Sequence, residues 1–128
     1  MPMILGTDAA GTVNGRPVSV HSVITSPGWT GDVTLDPRRS LLSELHQGTM
    51  AQLVAVPGTN LIDRPAWLSV EQAACLPTAY RMLTNDSGLN TGDTVLIQGA
   101  SGGVAPAATV LGSALVFRVW VTGRTESG

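Results

Sequence analysis

The stretch with the clearest chemical potential is residues 99–105, Gly-Ala-Ser-Gly-Gly-Val-Ala, which follows the apolar run 94–97 and opens an alanine-rich segment. Glycine lets the backbone turn tightly and approach an anion closely, and the first amides of a helix have no intrahelical acceptor. A strand-to-helix junction of this kind can therefore donate backbone hydrogen bonds to a phosphate. The candidate contacts of such a dinucleotide-binding loop are Ala100, Ser101, Gly102, Gly103 and Val104.

A second candidate residue follows the loop at the spacing that dinucleotide sites use. The usual Gly-x-Gly-x-x-Gly appears here as Ala100-x-Gly102-x-x-Ala105, and alanine is admissible at the third position. Arg124 follows the next β-type run, 117–122, and lies about twenty residues past the loop. An acid there would accept a hydrogen bond from the ribose of NAD, whereas an arginine meets a 2′-phosphate. The pattern predicts NADPH as the cofactor, with NADH the weaker ligand.

Helices and strands must alternate in the second half of the chain to hold this loop. The run 94–98 is typical of a buried parallel strand, and the helix after the loop should bury Val104, Ala107 or Ala108, Leu111 and Leu115. Ser69 and Gln72 can form a capping box, which predicts a helix from Val70 that buries Ala73, Ala74 and Leu76. Pro77 should end or kink that helix, with a second helical piece over 78–83.

The first half of the chain has β character. Alternation and β-branched residues predict strands over 18–25 and 50–56. Asn14-Gly15 is typical of a two-residue hairpin turn, in which both positions need positive φ. A short helix is predicted over 40–45.

Composition excludes several classes of protein. The chain has 128 residues, is 43% apolar and 12% charged, and carries a net charge of -2, so it is neither disordered nor a cation-rich nucleic-acid binder. Residues 102–121 contain one charge, but Pro106, the glycines and the later two-residue alternation favour a buried helix and strand over a membrane span. The amino end lacks the pattern of a secretory signal, so we expect a cytoplasmic protein. Cys75, the single cysteine, is expected to be buried.

Four ordered blocks, residues 2–11, 47–57, 68–77 and 92–104, resemble the medium-chain dehydrogenase/reductase superfamily. The branch they are most similar to holds the quinone oxidoreductases and the zinc-type alcohol dehydrogenase-like proteins. The resemblance implies an α/β fold, with a partial GroES-like β domain over 1–68 and the first half of a Rossmann domain over 69–128. It also implies NADPH-dependent hydride transfer to or from a carbonyl, enone or quinone, and thus a small-molecule substrate.

The sequence departs from the family at several places. Gly6-Thr7-Asp8 stands where zinc-dependent relatives carry Gly-His-Glu, and His21 and His46 lie outside the family's ligand positions, so no catalytic zinc is expected. The family's first strands and everything after its second Rossmann strand have no counterpart, which predicts a fragment inactive on its own, with no catalytic residue to name. Val116 occupies a position where relatives favour glycine, and it should strain the helix exit.

Two other functions stay open. Residues 99–103 also read as Gly-x-Ser-x-Gly, the nucleophile elbow of an α/β-hydrolase, but both histidines precede Ser101 and Glu126 is the only later acid. That order disfavours a hydrolase. A non-catalytic remnant, which binds nucleotide weakly or associates with another chain, is the stronger alternative. Open strand edges would favour assembly into a homo-oligomer.

Overall fold

The structure, a computed structural model, describes residues 2–124 of the chain. The described backbone separates into two compact units, which divide between Ala74 and Cys75. The predicted α/β class is confirmed: the first unit is built mainly of antiparallel strands, and the second combines helix with a parallel strand pair. The domain boundary expected after residue 68 stays a prediction.

The first unit contains one three-stranded and one two-stranded sheet. The larger sheet is antiparallel in the order β1-β2-β5, and β3 pairs antiparallel with β4. The strands are β1 Ala9–Val13, β2 Arg16–Val20, β3 Val23–Ile24, β4 Ser40–Leu41 and β5 Leu61–Asp63. The hairpin between β1 and β2 turns at Asn14 (φ 50°) and Gly15 (φ 79°), which confirms the predicted turn with two positive φ angles.

Three predictions for this unit need correction. The strand expected over 18–25 breaks at residues 21–22 into the end of β2 and β3. The helix expected over 40–45 is absent, because β4 leads into a turn with Ser43 at φ 67°. The strand expected over 50–56 does not form either: the amide of Met50 donates to the Leu5 carbonyl instead of to a strand, and the Leu53 residue is 91% exposed.

A buried carboxylate fixes the loop between β3 and β4. Asp36 is fully buried and accepts hydrogen bonds from the Ser26 amide (2.6 Å), the Ser26 hydroxyl (2.8 Å) and the Arg38 amide (2.8 Å). Burial by itself would raise the pKa of Asp36, but these hydrogen bonds to the charged form outweigh it and hold the pKa below its ordinary value. The loop is thus organised around one ionised side chain.

Helix α1 spans Val70–Thr84 and begins with the predicted capping box. The Ser69 amide donates to Gln72 Oε1 (3.0 Å), and the Gln72 amide donates to Ser69 Oγ (3.2 Å). Ala73 is buried, as predicted, whereas Ala74 and Leu76 are half-buried. The expectation that the helix ends at Pro77, with a separate helical piece over 78–83, is wrong, because one helix continues through this residue to Thr84.

The second unit places helix α2, Val104–Ala114, against the parallel strands β6 Thr94–Gln98 and β7 Arg118–Thr122. Its core consists of Ala79, Leu83, Ile97, Ala105, Ala107 and Ala108, with Leu111 and Leu115 packed against it. Val104 does not join the core as expected, since it is 46% exposed. Cys75 is exposed rather than buried, because the core follows α1 only from Leu76 onward.

The exit of α2 has the hydrogen bonds of a Schellman motif. The Phe117 amide donates to the Gly112 carbonyl (2.9 Å), and the Val116 amide donates to the Ser113 carbonyl (3.1 Å). This motif needs a left-handed residue before Phe117, and Val116 indeed has φ 63°. The expected strain at this β-branched residue therefore has a structural basis.

Val116→Gly should raise the free energy of unfolding by about 1 kcal/mol, because glycine adopts positive φ without steric cost but gives up entropy on folding. The matched control is Val110→Gly in the body of α2, where the side chain is 65% exposed against 64% for Val116. That variant should lose about 0.5 kcal/mol through helix propensity. Urea denaturation of both variants tests this prediction. If the two substitutions change the free energy of unfolding in the same direction, the backbone at Val116 is not strained.

Candidate functional site

The glycine-rich loop joins the carboxyl end of β6 to the first turn of α2. Gln98, the last residue of β6, pairs in parallel register with Thr122, the last residue of β7. Residues 99–103 follow, and α2 begins at Val104. The loop thus lies at the carboxyl edge of a parallel strand pair, the edge at which open α/β sheets bind ligands.

Part of the loop is hydrogen-bonded within the protein. The amides of Gly99 and Ala100 both donate to the Thr122 carbonyl, each at 2.9 Å. The Gly102 amide donates to the Gly99 carbonyl, also at 2.9 Å. Ala100 and Gly102, two of the predicted phosphate contacts, therefore have backbone donors that are already in use.

The other amides at the junction have no acceptor in the part of the chain that the structure describes. Within the described residues, Ser101, Gly103 and Val104 have amides that make no hydrogen bond to the chain. Gly103 is the N-cap of α2 and supplies no side-chain cap, and residues 101–104 are exposed. These amides, together with the partial positive charge at the start of a helix, can receive an anionic group.

Arg124 lies in an exposed bend two residues after Thr122. Because the Thr122 carbonyl holds Gly99 and Ala100, the end of β7 and the start of the loop are neighbours. The structure therefore brings the two predicted parts of the site to the same edge of the strand pair. Their contact with a nucleotide stays a prediction. The sequence did not predict the role of Thr122, because every residue has a backbone carbonyl and the residue type does not show which one accepts a hydrogen bond.

Known proteins resemble this chain in sequence and in fold. No protein-family model matches it. A crotonyl-CoA reductase of Streptomyces avermitilis is 35% identical over 127 residues, which cover 83% of this chain and 28% of that protein. A crystal structure of an NAD-dependent alcohol dehydrogenase superposes with TM-score 0.84 at 31% identity, over 99% of this chain and 43% of that one.

A third known protein is similar to almost the whole of this chain. The 2-octenoyl-CoA carboxylase reductase CinF, solved with NADP and 2-octenoyl-CoA, superposes with TM-score 0.83 at 30% identity, over 97% of this chain and 33% of that one. The chain belongs to the medium-chain dehydrogenase/reductase superfamily. It spans between about a quarter and less than half of the length of these superfamily members, as the coverages of 28%, 33% and 43% show.

Metal-dependent members of this superfamily need a cluster of ligands. Among residues 2–124, no three His, Cys, Asp or Glu side chains are grouped so that they could hold a metal ion. His46 Nε2 lies 2.9 Å from Ser40 Oγ, and the Asn60 amide group donates to the His21 carbonyl (2.7 Å), so both histidine residues belong to polar networks of the first unit. The absence of zinc stays an expectation for this superfamily member.

The remaining predictions at the site concern Ser101 and the membrane. Ser101 lies exposed in the loop, the second unit contains no histidine, and Glu126 lies outside the described residues. No helix of the described part of this superfamily member is long and apolar enough to cross a membrane.

Proposed function

We propose that this chain forms part of the nucleotide site of an NADPH-dependent reductase that transfers hydride to or from a carbonyl, enone or quinone. The observation that carries the proposal is the junction of β6 and α2, where the amides of Ser101, Gly103 and Val104 have no acceptor among residues 2–124 and lie beside the strand that leads to Arg124. Its position at the carboxyl edge of parallel strands suits a pyrophosphate.

The residues present fit such a cofactor. Glycine at 102 and 103 leaves the backbone open to a close approach, and a Cβ built on Gly103 would meet no atom within 4 Å. Arg124 would donate to a 2′-phosphate. When bound, the nicotinamide supplies the hydride, while the protein orients it and excludes competing reactions. No residue of this chain is assigned as a catalytic acid.

The choice between cofactors rests on Arg124. Among the similar structures, one is named as NAD-dependent and another contains NADP, so the relatives differ. An exposed arginine two residues beyond the end of β7 favours the phosphorylated ribose. The matches to a crotonyl-CoA reductase and a 2-octenoyl-CoA carboxylase reductase favour an enoyl thioester, a conjugated carbonyl compound related to the predicted enone, as the substrate class.

Titration of the chain with NADPH and NADH tests the proposal, with the amide NMR shifts of Ser101, Gly103 and Val104 as the signal. We expect millimolar binding with NADPH preferred by about tenfold, as one exposed charge-assisted hydrogen bond would give. Arg124→Ala should remove the preference, whereas Arg16→Ala, which removes an exposed arginine paired with Asp63 in the first unit, should keep it. Equal affinities that neither variant changes would overturn the proposal.

The second candidate is a non-catalytic role in association. Leu96 and Trp120 pair in register and are 58% and 68% exposed, although parallel strands are normally covered on both faces. The same titration separates the candidates. If the chain serves only in association, neither NADPH nor NADH should change the NMR shifts of the loop amides.

A further inference from the structure

Two successive amides of the loop converge on a single carbonyl oxygen. The Gly99 amide continues the parallel ladder to Thr122, and the Ala100 amide adds a second bond to the same oxygen, both at 2.9 Å. Convergence of neighbouring N–H groups follows from a left-handed residue in the turn, and Gly99 has φ 79°. The Thr122 oxygen thus fills a concavity that could otherwise hold an anion.

Glycine is required at position 99 by conformation and not by space. A Cβ built on Gly99 would meet no atom within 4 Å, so an added methyl group would not collide with the protein. The positive φ is what other L-residues adopt only at a cost. Any larger residue should therefore relax toward negative φ and turn the Ala100 amide away from Thr122.

We propose that Gly99 is a positioning residue that sets the preference for NADPH over NADH. Through the Thr122 carbonyl it fixes the loop to the strand end from which Arg124 follows two residues later. This inference rests on the proposed function. One NADPH molecule must reach both the loop amides and Arg124, so their separation has to match the span from pyrophosphate to 2′-phosphate. NADH lacks the 2′-phosphate and depends less on that separation.

The test compares Gly99→Ala and Gly99→Asn with the control variant Gly58→Ala in the full chain. Gly99→Ala should speed hydrogen exchange of the Ala100 amide by about tenfold or more, which corresponds to loss of a modest hydrogen bond. It should also reduce the NADPH-to-NADH affinity ratio toward one. Because asparagine tolerates positive φ better than alanine, Gly99→Asn should keep part of the protection of the Ala100 amide and part of the NADPH-to-NADH affinity ratio. Gly58 lies in the first unit, has no positive φ, and a Cβ built on it would meet no atom within 4 Å, so Gly58→Ala should leave both the exchange at Ala100 and the affinity ratio unchanged.

The outcomes distinguish this inference from the proposed function. If Arg124→Ala removes the preference while Gly99→Ala keeps it despite faster exchange at Ala100, the inference is wrong and the proposed function stands. If the unmodified chain shows no preference, both fail. If Gly99→Ala does not fold, Gly99→Asn provides the test. Faster exchange at Ala100 together with a lower NADPH-to-NADH affinity ratio supports the inference. Faster exchange with the affinity ratio of the unmodified chain overturns it.

Discussion

Leu83→Ala should lower the free energy of unfolding of the second unit by about 3 kcal/mol, the cost of a buried leucine lost from a core that only partly collapses. The Leu83 residue is 6% exposed and packs in the cluster that contains Ile97 of β6 and Ala108 of α2. These two elements carry the glycine-rich loop between them. Loss of Leu83 should therefore also weaken nucleotide binding, although Leu83 is not among the residues proposed to touch the cofactor.

Met82→Ala is the matched control, since Met82 is the adjacent residue of α1 and is 53% exposed. Its truncation should cost less than about 1 kcal/mol, as is usual away from a core. Urea denaturation followed through hydrogen exchange of the β6 amides measures both variants. Similar losses for the two would show that α1 does not dock through Leu83.

Elements with local signals were predicted well. The capping box placed the start of α1 at Val70, and the apolar run placed β6 over Thr94–Gln98, both as found. The Asn14-Gly15 turn also needed only two residues to be recognised. In each case the residues that stabilise the element lie inside it or within one turn of it, so the printed sequence contains the whole cause.

Elements that depend on distant partners were predicted poorly. The alternation over 50–56 suits a strand, but a strand needs a neighbour, and the backbone before it is hydrogen-bonded to residues 4–6 instead. Pro77 shows the opposite error. It removes a helix donor, yet α1 continues because Ala79 and Leu83, which come after it, are anchored in the core. Tertiary packing overrides the local preference in both cases.

The candidate site also combines features that local sequence predicts with features that depend on distant residues. Residue types predicted where the loop lies and that β7 runs beside it. They could not show which amides remain for a ligand, because that depends on the Thr122 carbonyl from a strand that follows α2. Of the loop residues predicted to bind, Ser101, Gly103 and Val104 keep amides without a protein acceptor in the described structure. The proposed phosphate site therefore uses fewer loop residues than the motif predicts.

Gly48→Ala should lower the free energy of unfolding of the first unit by about 3 kcal/mol, at the upper end of what overpacking usually costs. A Cβ at this position would lie 2.5 Å from the Leu5 carbonyl carbon and oxygen and 2.5 Å from the Gly6 oxygen. All three atoms are backbone and cannot rotate away. The segment is also held in place, since the Gly48 amide donates to the Ile4 carbonyl (2.8 Å) and the Met50 amide to the Leu5 carbonyl (2.9 Å).

Gly58→Ala supplies the control for this steric argument, because a Cβ there would meet no atom within 4 Å and its φ is not in the left-handed region. That variant should change stability by less than about 0.5 kcal/mol, as expected for an open position. Chemical denaturation of both variants, with hydrogen exchange of the Gly48 and Met50 amides, gives the comparison. If Gly48→Ala unfolds at the same denaturant concentration as Gly58→Ala, residues 4–6 do not pack closely against Gly48.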